Sequence, residues 1–502
     1  MRSLWILLAL AGLPLAAQTR PPSASAAATI TAEELIQHAG ILAADSMLGR
    51  ATPSPGLEQS ARYVASEFER AGLKPMGDAG GYLQRFGVTR WSVDTARSVV
   101  ELRAGGKRAA ARIGVDARYV LGKIPEGPLS GPVMLIAGPD STIEPGTEVK
   151  GRVVLLVADF SRPVSPALNQ SILDLARGGP LAVLVLSNRD SATFSLRLAA
   201  ARPRLERDLI AASDTSAPII EVHERSVGPV LEAAGVHPGR LRGLDRGERT
   251  ALAEMTVQVR LVRRVHEAAR VPNVLGMLEG SDPLLRREYL VYSAHIDHIG
   301  ISPGLPDSIN NGADDNAAGV GGLLELVEAF TQPGVRPRRS ILFFAPSAEE
   351  DGLLGSEHFT EHPTVPLPQM VANLNMDLIG RNWRDSVIAV GLEQSDLGTT
   401  LQAVVRRHPE LGMAPIADRW PEERIFYRSD HYNFARKGVP ILFFTSGTHA
   451  DYHRPSDEAA LIDGEKAARL VRLLFHLGAQ IADTLPRPRW AAASYRQIVE
   501  RK

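Results

Sequence analysis

The chain contains no cysteine among its 502 residues. This absence excludes disulfide bridges, thiolate metal ligands and cysteine nucleophiles. Any metal site has to be built from His, Asp and Glu, and such ligands favour zinc or another first-row divalent ion. A chain of this length can be stable without disulfides, because it buries a sizeable core.

Neither sign of charge is in excess, since 56 basic residues are balanced by 57 acidic ones. The sequence therefore gives no indication of a polyanionic partner, and we expect no nucleic acid to bind. The apolar fraction of 44% and the charged fraction of 23% are those of a soluble globular protein. The length favours two domains with appended segments.

Long apolar runs are lacking except near the amino terminus. There, MRSLWILLALAGLPLAAQ combines the basic Arg2 with an apolar stretch from Leu4 to Ala17 that is shorter than a membrane span. This pattern is typical of a cleavable signal peptide over residues 1–17, and the alternative is an uncleaved anchor. We therefore expect export to the periplasm or the extracellular space, without membrane contact once the signal is removed.

The composition and the predicted secondary structure change along the rest of the chain. Residues 18–30 have the low complexity of a linker. Over about 118–262, short β-rich runs such as VMLIAG and GRVVLLVA predict a β-rich accessory domain. From 271 onward, alternating strand and helix patterns predict a three-layer α/β/α sandwich around a mostly parallel mixed sheet. Residues 486–502 have the composition of a polar tail.

Histidine and acidic residues follow several of the predicted strands or precede a predicted helix. Ligands in open α/β sheets bind at the carboxyl ends of the strands, so we expect these side chains to meet at one rim. Each motif alone is ordinary, since an Asp before a helix is usually a cap. Carboxylates gathered at one rim would repel one another, and divalent cations would remove that repulsion. The residues are His295, Asp297, His298, Asp314, Asp315, Glu349, Glu350, Asp377 and His453.

The motifs SAHIDHIG, NNGADDNAAG, SAEEDGLLGS, NMDLIG, SDHYNF and YHRPSDE occur in this order over about 271–460. In order and spacing they resemble the zinc exopeptidase family of secreted bacterial leucyl aminopeptidases, which also includes glutamate carboxypeptidase, glutaminyl cyclase and the transferrin receptor ectodomain. The resemblance implies a catalytic domain formed by residues 31–117 and 263–485. The segment 118–262 looks like the protease-associated domain inserted in many members.

This resemblance implies two zinc ions per chain, although Mn²⁺ and Co²⁺ suit similar ligands. Asp314 would bridge the two ions, and the peptide bond between Asp314 and Asp315 would be cis, as in relatives. The remaining metal ligands would be His295 and Asp377 on one ion, and Glu350 and His453 on the other.

The neighbours of these ligands receive further roles from the resemblance. Glu349 would be the general base, a role that suits a carboxylate one residue before a ligand at a strand end. Asp297 would lie behind His295 and orient its ring, and Asp457 would do the same for His453.

Two tyrosines and two further histidines complete the set of candidates. Tyr452 matches a tyrosine of the carboxypeptidase branch and would stabilise the oxyanion, whereas Tyr427 lies near one used by the bacterial aminopeptidases. We favour Tyr452, and the alternative for both is packing in the wall of the site. His298 and His431 are expected to line the pocket or to form structural hydrogen bonds without binding metal.

The resulting expectation is an aminopeptidase that hydrolyses amino-terminal residues of peptide substrates. The first alternative is a carboxypeptidase or dipeptidase on the same scaffold, with Arg381, Arg424 or Arg428 binding the substrate carboxylate. Glutaminyl cyclisation with one metal is the second alternative. A binding protein with a lost site, as in the transferrin receptor, is the third, but the motifs retain the full ligand set.

Overall fold

The structure is a computed structural model that describes residues 22–139, 143, 146–199, 203–207, 216–304 and 306–500. The signal peptide expected over residues 1–17 lies outside the described residues. Within the described part, no helix combines the length and apolar character needed to cross a membrane.

Helices and strands are numbered in chain order. The helices are α1 (Pro22–Ala27), α2 (Ala32–Leu42), α3 (Pro55–Arg70), α4 (Pro166–Arg177), α5 (Ser191–Ala199), α6 (Glu224–Ala233), α7 (Pro238–Arg242), α8 (Ala318–Thr331), α9 (Leu354–Glu361), α10 (Leu397–Arg407), α11 (His431–Ala435), α12 (Gly464–Asp483) and α13 (Ala492–Tyr495). The strands are β1 (Lys74–Pro75), β2 (Leu83–Val93), β3 (Val99–Ala104), β4 (Lys107–Arg112), β5 (Ala117–Leu121), β6 (Leu129–Ala137), β7 (Val153–Val157), β8 (Ala182–Ser187), β9 (Arg204–Arg207), β10 (Ile219–His223), β11 (Glu248–Arg260), β12 (Arg263–Leu278), β13 (Tyr289–Ser293), β14 (Ser340–Ala345), β15 (Met370–Met376), β16 (Ser386–Val390), β17 (Ala414–Ile416) and β18 (Ile441–Thr445).

The chain folds into two compact units. The first combines the segment that ends at Arg85 with the segment that begins at Val271, and the second is Phe86–Arg270. The second unit is wider than the segment 118–262 expected from the sequence. The difference arises because β3 and β4 join the sheet of this unit through the pairing of β3 with β11.

In the first unit, the sheet has the strand order β17–β16–β18–β15–β13–β14–β12. The central strand β13 pairs in parallel with β14 and β15, and β15 pairs in parallel with β18. Strands β12 and β16 run antiparallel to β14 and β18. The predicted mixed, mostly parallel sheet is therefore confirmed.

Helices cover both faces of this sheet. Because successive strand residues point to opposite faces, Phe343 and Phe344 of β14 report on the two sides. The Phe343 ring lies 6.4 Å from Phe330 of α8, whereas the Phe344 ring lies 4.6 Å from Phe359 of α9. Helices α2, α8 and α12 pack against one another, and α9 contacts α11. This arrangement is the expected three-layer sandwich.

The second unit contains its own mixed sheet, in the order β4–β3–β11–β6–β7–β8–β10–β5. Strands β6, β7, β8 and β10 are parallel neighbours. Leu168 of α4 packs in one apolar cluster of this unit, and Leu231 of α6 packs in another. The unit is therefore α/β rather than simply β-rich, and its likeness to a protease-associated domain stays a prediction.

Both segments expected to flank the folded domain are in part packed onto it. Within the expected linker 18–30, Ile30 is fully buried, and its carbonyl accepts hydrogen bonds from Arg472 at 2.6 and 3.0 Å. Within the expected tail, the indole N–H of Trp490 donates to the Gly438 carbonyl at 2.9 Å. Low complexity and polar composition did not indicate these anchoring contacts.

Candidate metal centre

The candidate ligands lie where the central strands of the first unit end. His295 comes two residues after β13, and Asp377 follows β15 directly. Glu349 and Glu350 come four and five residues after β14. The parallel pairing of these strands brings their carboxyl ends to the same edge, as the sequence predicted.

A first group of possible metal ligands consists of His295, Asp315 and Asp377. His295 Nε2 lies 3.4 Å from Asp315 Oδ1 and 3.4 Å from Asp377 Oδ1. A tetrahedral zinc ion with bonds of about 2.0–2.1 Å would hold its ligand atoms about 3.4 Å apart. The spacing of this group therefore fits a bound zinc ion.

A second group consists of His298, Asp315, Glu350 and His453. His453 Nε2 lies 3.2 Å from Asp315 Oδ2 and 3.0 Å from Glu350 Oε2. His453 is half-buried, with 35% of its side chain exposed, so this group is open to solvent on one side. An open position is what a catalytic metal needs in order to accept water or substrate.

Asp315 is shared by the two groups, and it contributes a different oxygen to each. Asp314, to which the family resemblance gave the bridging role, belongs to neither group. Its Oδ1 instead accepts a hydrogen bond from the Gly380 N–H at 2.6 Å, and its Oδ2 lies 3.4 Å from His449 Nε2. The residue that the two ligand groups share is therefore Asp315 rather than the expected Asp314.

The position of the cis peptide bond is corrected in the same way. It joins Asp315 to Asn316 rather than Asp314 to Asp315. The bond thus follows the shared carboxylate directly, one residue later than expected.

Among the described residues, three buried ligand atoms form no hydrogen bond of proper geometry, although an oppositely charged ligand atom lies 3.0–3.4 Å from each of them. They are His295 Nε2, Asp377 Oδ1 and His453 Nε2. A buried polar atom without a partner is energetically costly. Because the three atoms all belong to the two groups, a bound cation would give each of them a partner.

The charges of the site depend strongly on one another. Burial opposes the charged form of His295, but the neighbouring Asp377 and Glu349 raise its pKa well above the usual value. Burial also raises the pKa of Glu349, well above its usual value. The pKa of Asp315 is lowered despite burial, because His295 and His453 stabilise its charge. The buried carboxylates of the site thus stabilise a positive charge placed among them, and divalent cations would provide that charge.

Asp297 holds the backbone that carries two of the acidic residues. Its carboxylate accepts hydrogen bonds from the N–H groups of Glu349 and Glu350 at 3.1 and 3.3 Å. Its own carbonyl oxygen lies 3.2 Å from His295 Nδ1, and its carboxylate is 3.7 Å from the same atom. Asp297 therefore contacts the His295 ring mainly through its backbone carbonyl, and it also positions the Glu349 segment.

Within the described residues, Asp457 forms no hydrogen bond with His453, behind which the resemblance placed it. Its carboxylate accepts hydrogen bonds from the Asp314 N–H at 3.1 and 3.2 Å and from the Asp315 N–H at 3.1 Å. Asp457 therefore fixes the backbone of the shared carboxylate.

Arg50 is a buried cation near the site that no motif indicated. It is 1% exposed, and its guanidinium donates to the carbonyls of Leu42, Ile296, Asn311 and Gly312 at 2.6–2.9 Å. Burial lowers its pKa to about 10, so it remains charged at neutral pH. A fixed positive charge that binds the 311–312 carbonyls would favour the carboxylates in its vicinity.

His298 and His431, which were expected to bind no metal, differ in position. His298 Nδ1 lies 2.7 Å from Glu350 Oε1, within the second ligand group. His431 Nε2 contacts the Phe426 carbonyl at 2.9 Å, and its ring stacks on Phe443. Burial lowers the pKa of His431 to about 3, so it is neutral and structural.

A small pocket adjoins the candidate ligands. It has a volume of about 50 Å³, and Asp377 and Tyr452 line it together with apolar side chains that include Trp420 and Phe443. The Tyr452 ring stacks on His453 with a centroid distance of 3.8 Å. Tyr427 is exposed and does not line this pocket. Of the two tyrosines, Tyr452 is therefore the one at the site.

Three non-glycine residues at the rim have left-handed backbone conformations. They are Ala348 before Glu349, Leu378 after Asp377, and His453 itself, with φ of 56–58°. Such conformations are disfavoured for residues with a side chain and persist where surrounding contacts impose them, often at functional sites. Because all three residues lie beside candidate ligands or are one, the contacts that impose these conformations also fix the positions of the ligands.

The comparison with known families agrees with this geometry. Residues 273–478 match the model of Peptidase family M28. The chain carries a Peptidase family M28 domain. This domain contains the strands β13, β14 and β15 and every residue of the two ligand groups.

Curated relatives match the same region. Aminopeptidase YwaD of Bacillus subtilis is 32% identical over 203 residues, which make up 39% of this chain and 41% of that protein. The vacuolar membrane protease of Tuber melanosporum is 31% identical over 195 residues, or 37% of this chain and 18% of that protein. The chain thus spans less than half the length of these relatives.

Beyond the M28 domain, a solved structure resembles most of the chain. It is the aminopeptidase from Aneurinibacillus sp. strain AM-1, with a TM-score of 0.54 and 16% identity, covering 93% of this chain and 99% of that one. At this identity the likeness concerns the fold alone, and it agrees with the α/β architecture of this chain.

Proposed function

We propose that the protein is a zinc aminopeptidase that binds two metal ions through Asp315. The observation that carries the proposal is the position of the two Asp315 oxygens, 3.4 Å from His295 Nε2 and 3.2 Å from His453 Nε2. A carboxylate that faces two ligand groups in this way is suited to join two cations. The remaining ligands would be Asp377 in the first group and Glu350 in the second.

Zinc ions bound here would supply an acidified water and a polarised substrate carbonyl. Glu349 would take the proton of that water and deliver it to the leaving amine. The Glu349 carboxylate lies 4.0 Å from His295 Nε2 and belongs to neither ligand group, so it is free to act as a base. A positioned general base of this kind typically contributes about 10²–10⁴-fold to the rate.

Tyr452 would donate a hydrogen bond to the oxygen of the scissile carbonyl as negative charge develops on it. Burial and the nearby carboxylates raise the pKa of Tyr452 well above its usual value, so the hydroxyl keeps its proton. Its place in the wall of the small pocket, against His453, supports this role.

Each arginine that could bind a substrate carboxylate already has an acidic or aromatic partner. Arg381 binds Asp451 at 2.6 Å, and Arg428 binds Glu423 at 3.2 Å. The guanidinium of Arg424 lies over the Tyr427 ring, at 4.8 Å from its centroid. The charged residues that line the pocket are Asp377, Glu423 and Arg428, which suit a substrate ammonium better than a carboxylate.

We also propose that the protein is exported and acts on peptides outside the cytoplasm. The proposal is supported by the basic start and the short apolar stretch of residues 1–17.

A panel of matched substrates tests the proposed activity. The purified protein should hydrolyse a peptide with a free amino terminus and leave the same peptide with an acetylated terminus intact. A carboxypeptidase would cleave both, and a glutaminyl cyclase would release ammonia from a peptide that begins with glutamine. Equal cleavage of the free and acetylated peptides would overturn the aminopeptidase proposal.

A further inference from the structure

A second cluster of possible metal ligands lies outside the peptidase centre. Glu34 of α2 and Glu325 and Glu328 of α8 each offer a carboxylate oxygen, and these atoms lie within 4.8 Å of one another. Glu325 and Glu328 are three residues apart, so they project from the same face of α8. Every ligand atom is oxygen, which distinguishes this cluster from the mixed centre around Asp315.

Glu325 is the unusual member of the cluster, because it is buried. It is 1% exposed, and its Oε2 accepts a hydrogen bond from the Thr31 N–H at 2.7 Å. Its Oε1 is also buried, and no group among the described residues forms a hydrogen bond with it. A buried carboxylate oxygen without a partner is costly, and a bound cation would satisfy it.

No arginine or lysine neutralises these carboxylates within ion-pair distance in the part of the chain that the structure describes. The two nearby guanidinium groups are already engaged: Arg70 with Glu67, and Arg472 with the Ile30 carbonyl. His38, in the wall of the adjoining cavity, contacts the Tyr63 hydroxyl through Nδ1. Three acidic groups thus share a small volume without a matching positive charge.

We propose that Glu34, Glu325 and Glu328 bind a calcium ion that ties α2 to α8. Calcium takes oxygen ligands from carboxylates and completes its shell of about 6–8 oxygens with water. Water has access, because Glu34 is exposed and Glu328 is half-buried beside a cavity of about 550 Å³. Since α8 begins three residues after Asp315, the ion would stabilise the helix that follows the shared ligand. The inference does not depend on the proposed peptidase activity.

A calcium titration of the full chain, kept saturated with zinc, tests the proposal. Thermal unfolding should shift upward with CaCl₂ and saturate, by about 3–6 °C at a hundredfold excess over Kd. Calorimetry should give one calcium ion per chain. Glu328→Gln should lose both effects, because Gln keeps the shape and removes the charge.

The matched control is Glu67→Gln, since Glu67 lines the same cavity but pairs with Arg70 and lies outside the cluster. This variant should keep the calcium response. If Glu328→Gln fails to fold, Glu34→Gln provides the same comparison, because Glu34 is exposed and its replacement disturbs no core. The absence of a calcium shift in the unmodified chain, or an equal shift in Glu328→Gln or Glu34→Gln, would overturn the proposal.

Discussion

His298 Nδ1 lies 2.7 Å from Glu350 Oε1, so one candidate ligand is held by the ring of another residue in its own group. The backbone makes room for this ring at Gly312, where φ is 59° and an added Cβ would lie 2.5 Å from the His298 ring. The His298–Glu350 contact therefore depends on Gly312, because the side chain of any other residue there would displace the His298 ring.

Replacing His298 should weaken metal binding without unfolding the protein. Loss of a group that orients a ligand typically costs about 10–100-fold in metal affinity or activity. We expect His298→Ala to fall in this range in a competitive zinc titration. His298→Asn, which can still donate a hydrogen bond, should recover part of the loss. Equal zinc affinity in His298→Ala and the unmodified chain would show that the contact has no such role.

Glu349 should matter for turnover and not for metal content. Glu349→Gln removes the base while retaining size and polarity, so kcat should fall by about 10²–10⁴-fold or more. Zinc content, measured by elemental analysis, should stay at the unmodified level because Glu349 is in neither ligand group. Near-normal kcat in a zinc-loaded Glu349→Gln protein would remove Glu349 from the mechanism.

Trp420 should limit the size of the amino-terminal side chain. Its ring narrows the small pocket and stacks on Trp383, with the two ring centroids 5.9 Å apart. Trp420→Ala should raise kcat/KM for large apolar first residues relative to alanine by about 10-fold, within the range for hydrophobic pockets. Trp383→Ala is the comparison, since Trp383 does not line the pocket. An unchanged ratio in Trp420→Ala would show that the pocket does not select substrates.

Stability should fall with rising pH because of Glu325. Burial, with Glu34 and Glu328 nearby, raises the pKa of Glu325 to about 8, whereas a Glu in an unfolded chain titrates at about 4.3. Between these values the folded protein retains a proton that the unfolded chain releases, so the free energy of unfolding decreases as pH rises. This contribution is fully present below about pH 4 and is lost by about pH 8.

The side chain at position 325 stays neutral at every pH in Glu325→Gln. The free energy of unfolding of this variant should therefore lack this part of the decrease with rising pH. Urea unfolding at pH 5 and pH 8, without added calcium, measures the difference between the two proteins. The same loss of stability in both proteins would show that Glu325 is not the titrating group.

Much of the fold could be predicted because it rests on local patterns. The apolar runs that became β13, β14, β15 and β18 are short and bounded by polar residues, and each is followed by a candidate ligand. Parallel pairing then leaves one edge at which His295, Glu350 and Asp377 can meet. The architecture of the second unit was harder to predict, because short buried parallel strands have the same sequence pattern as the strands of a β-rich domain.

The choice between Asp314 and Asp315 could not be made from composition or spacing. The two residues lie in a short helical segment whose backbone becomes irregular at Asp315, so one carboxylate faces the ligands and the other faces the Gly380 backbone. The roles of Arg50 and Asp457 were equally hidden, because both act on backbone groups distant in sequence. Such contacts follow from how loops fold and leave no periodic pattern.

The most direct test of the account is the zinc content of three proteins compared side by side. The unmodified chain should hold two zinc ions, and Asp315→Asn should lose zinc from both groups because it removes the charge that they share. Asp314→Asn should keep both ions, since Asp314 belongs to neither group. A single zinc ion in the unmodified chain, or full zinc content in Asp315→Asn, would contradict a metal pair joined by this carboxylate.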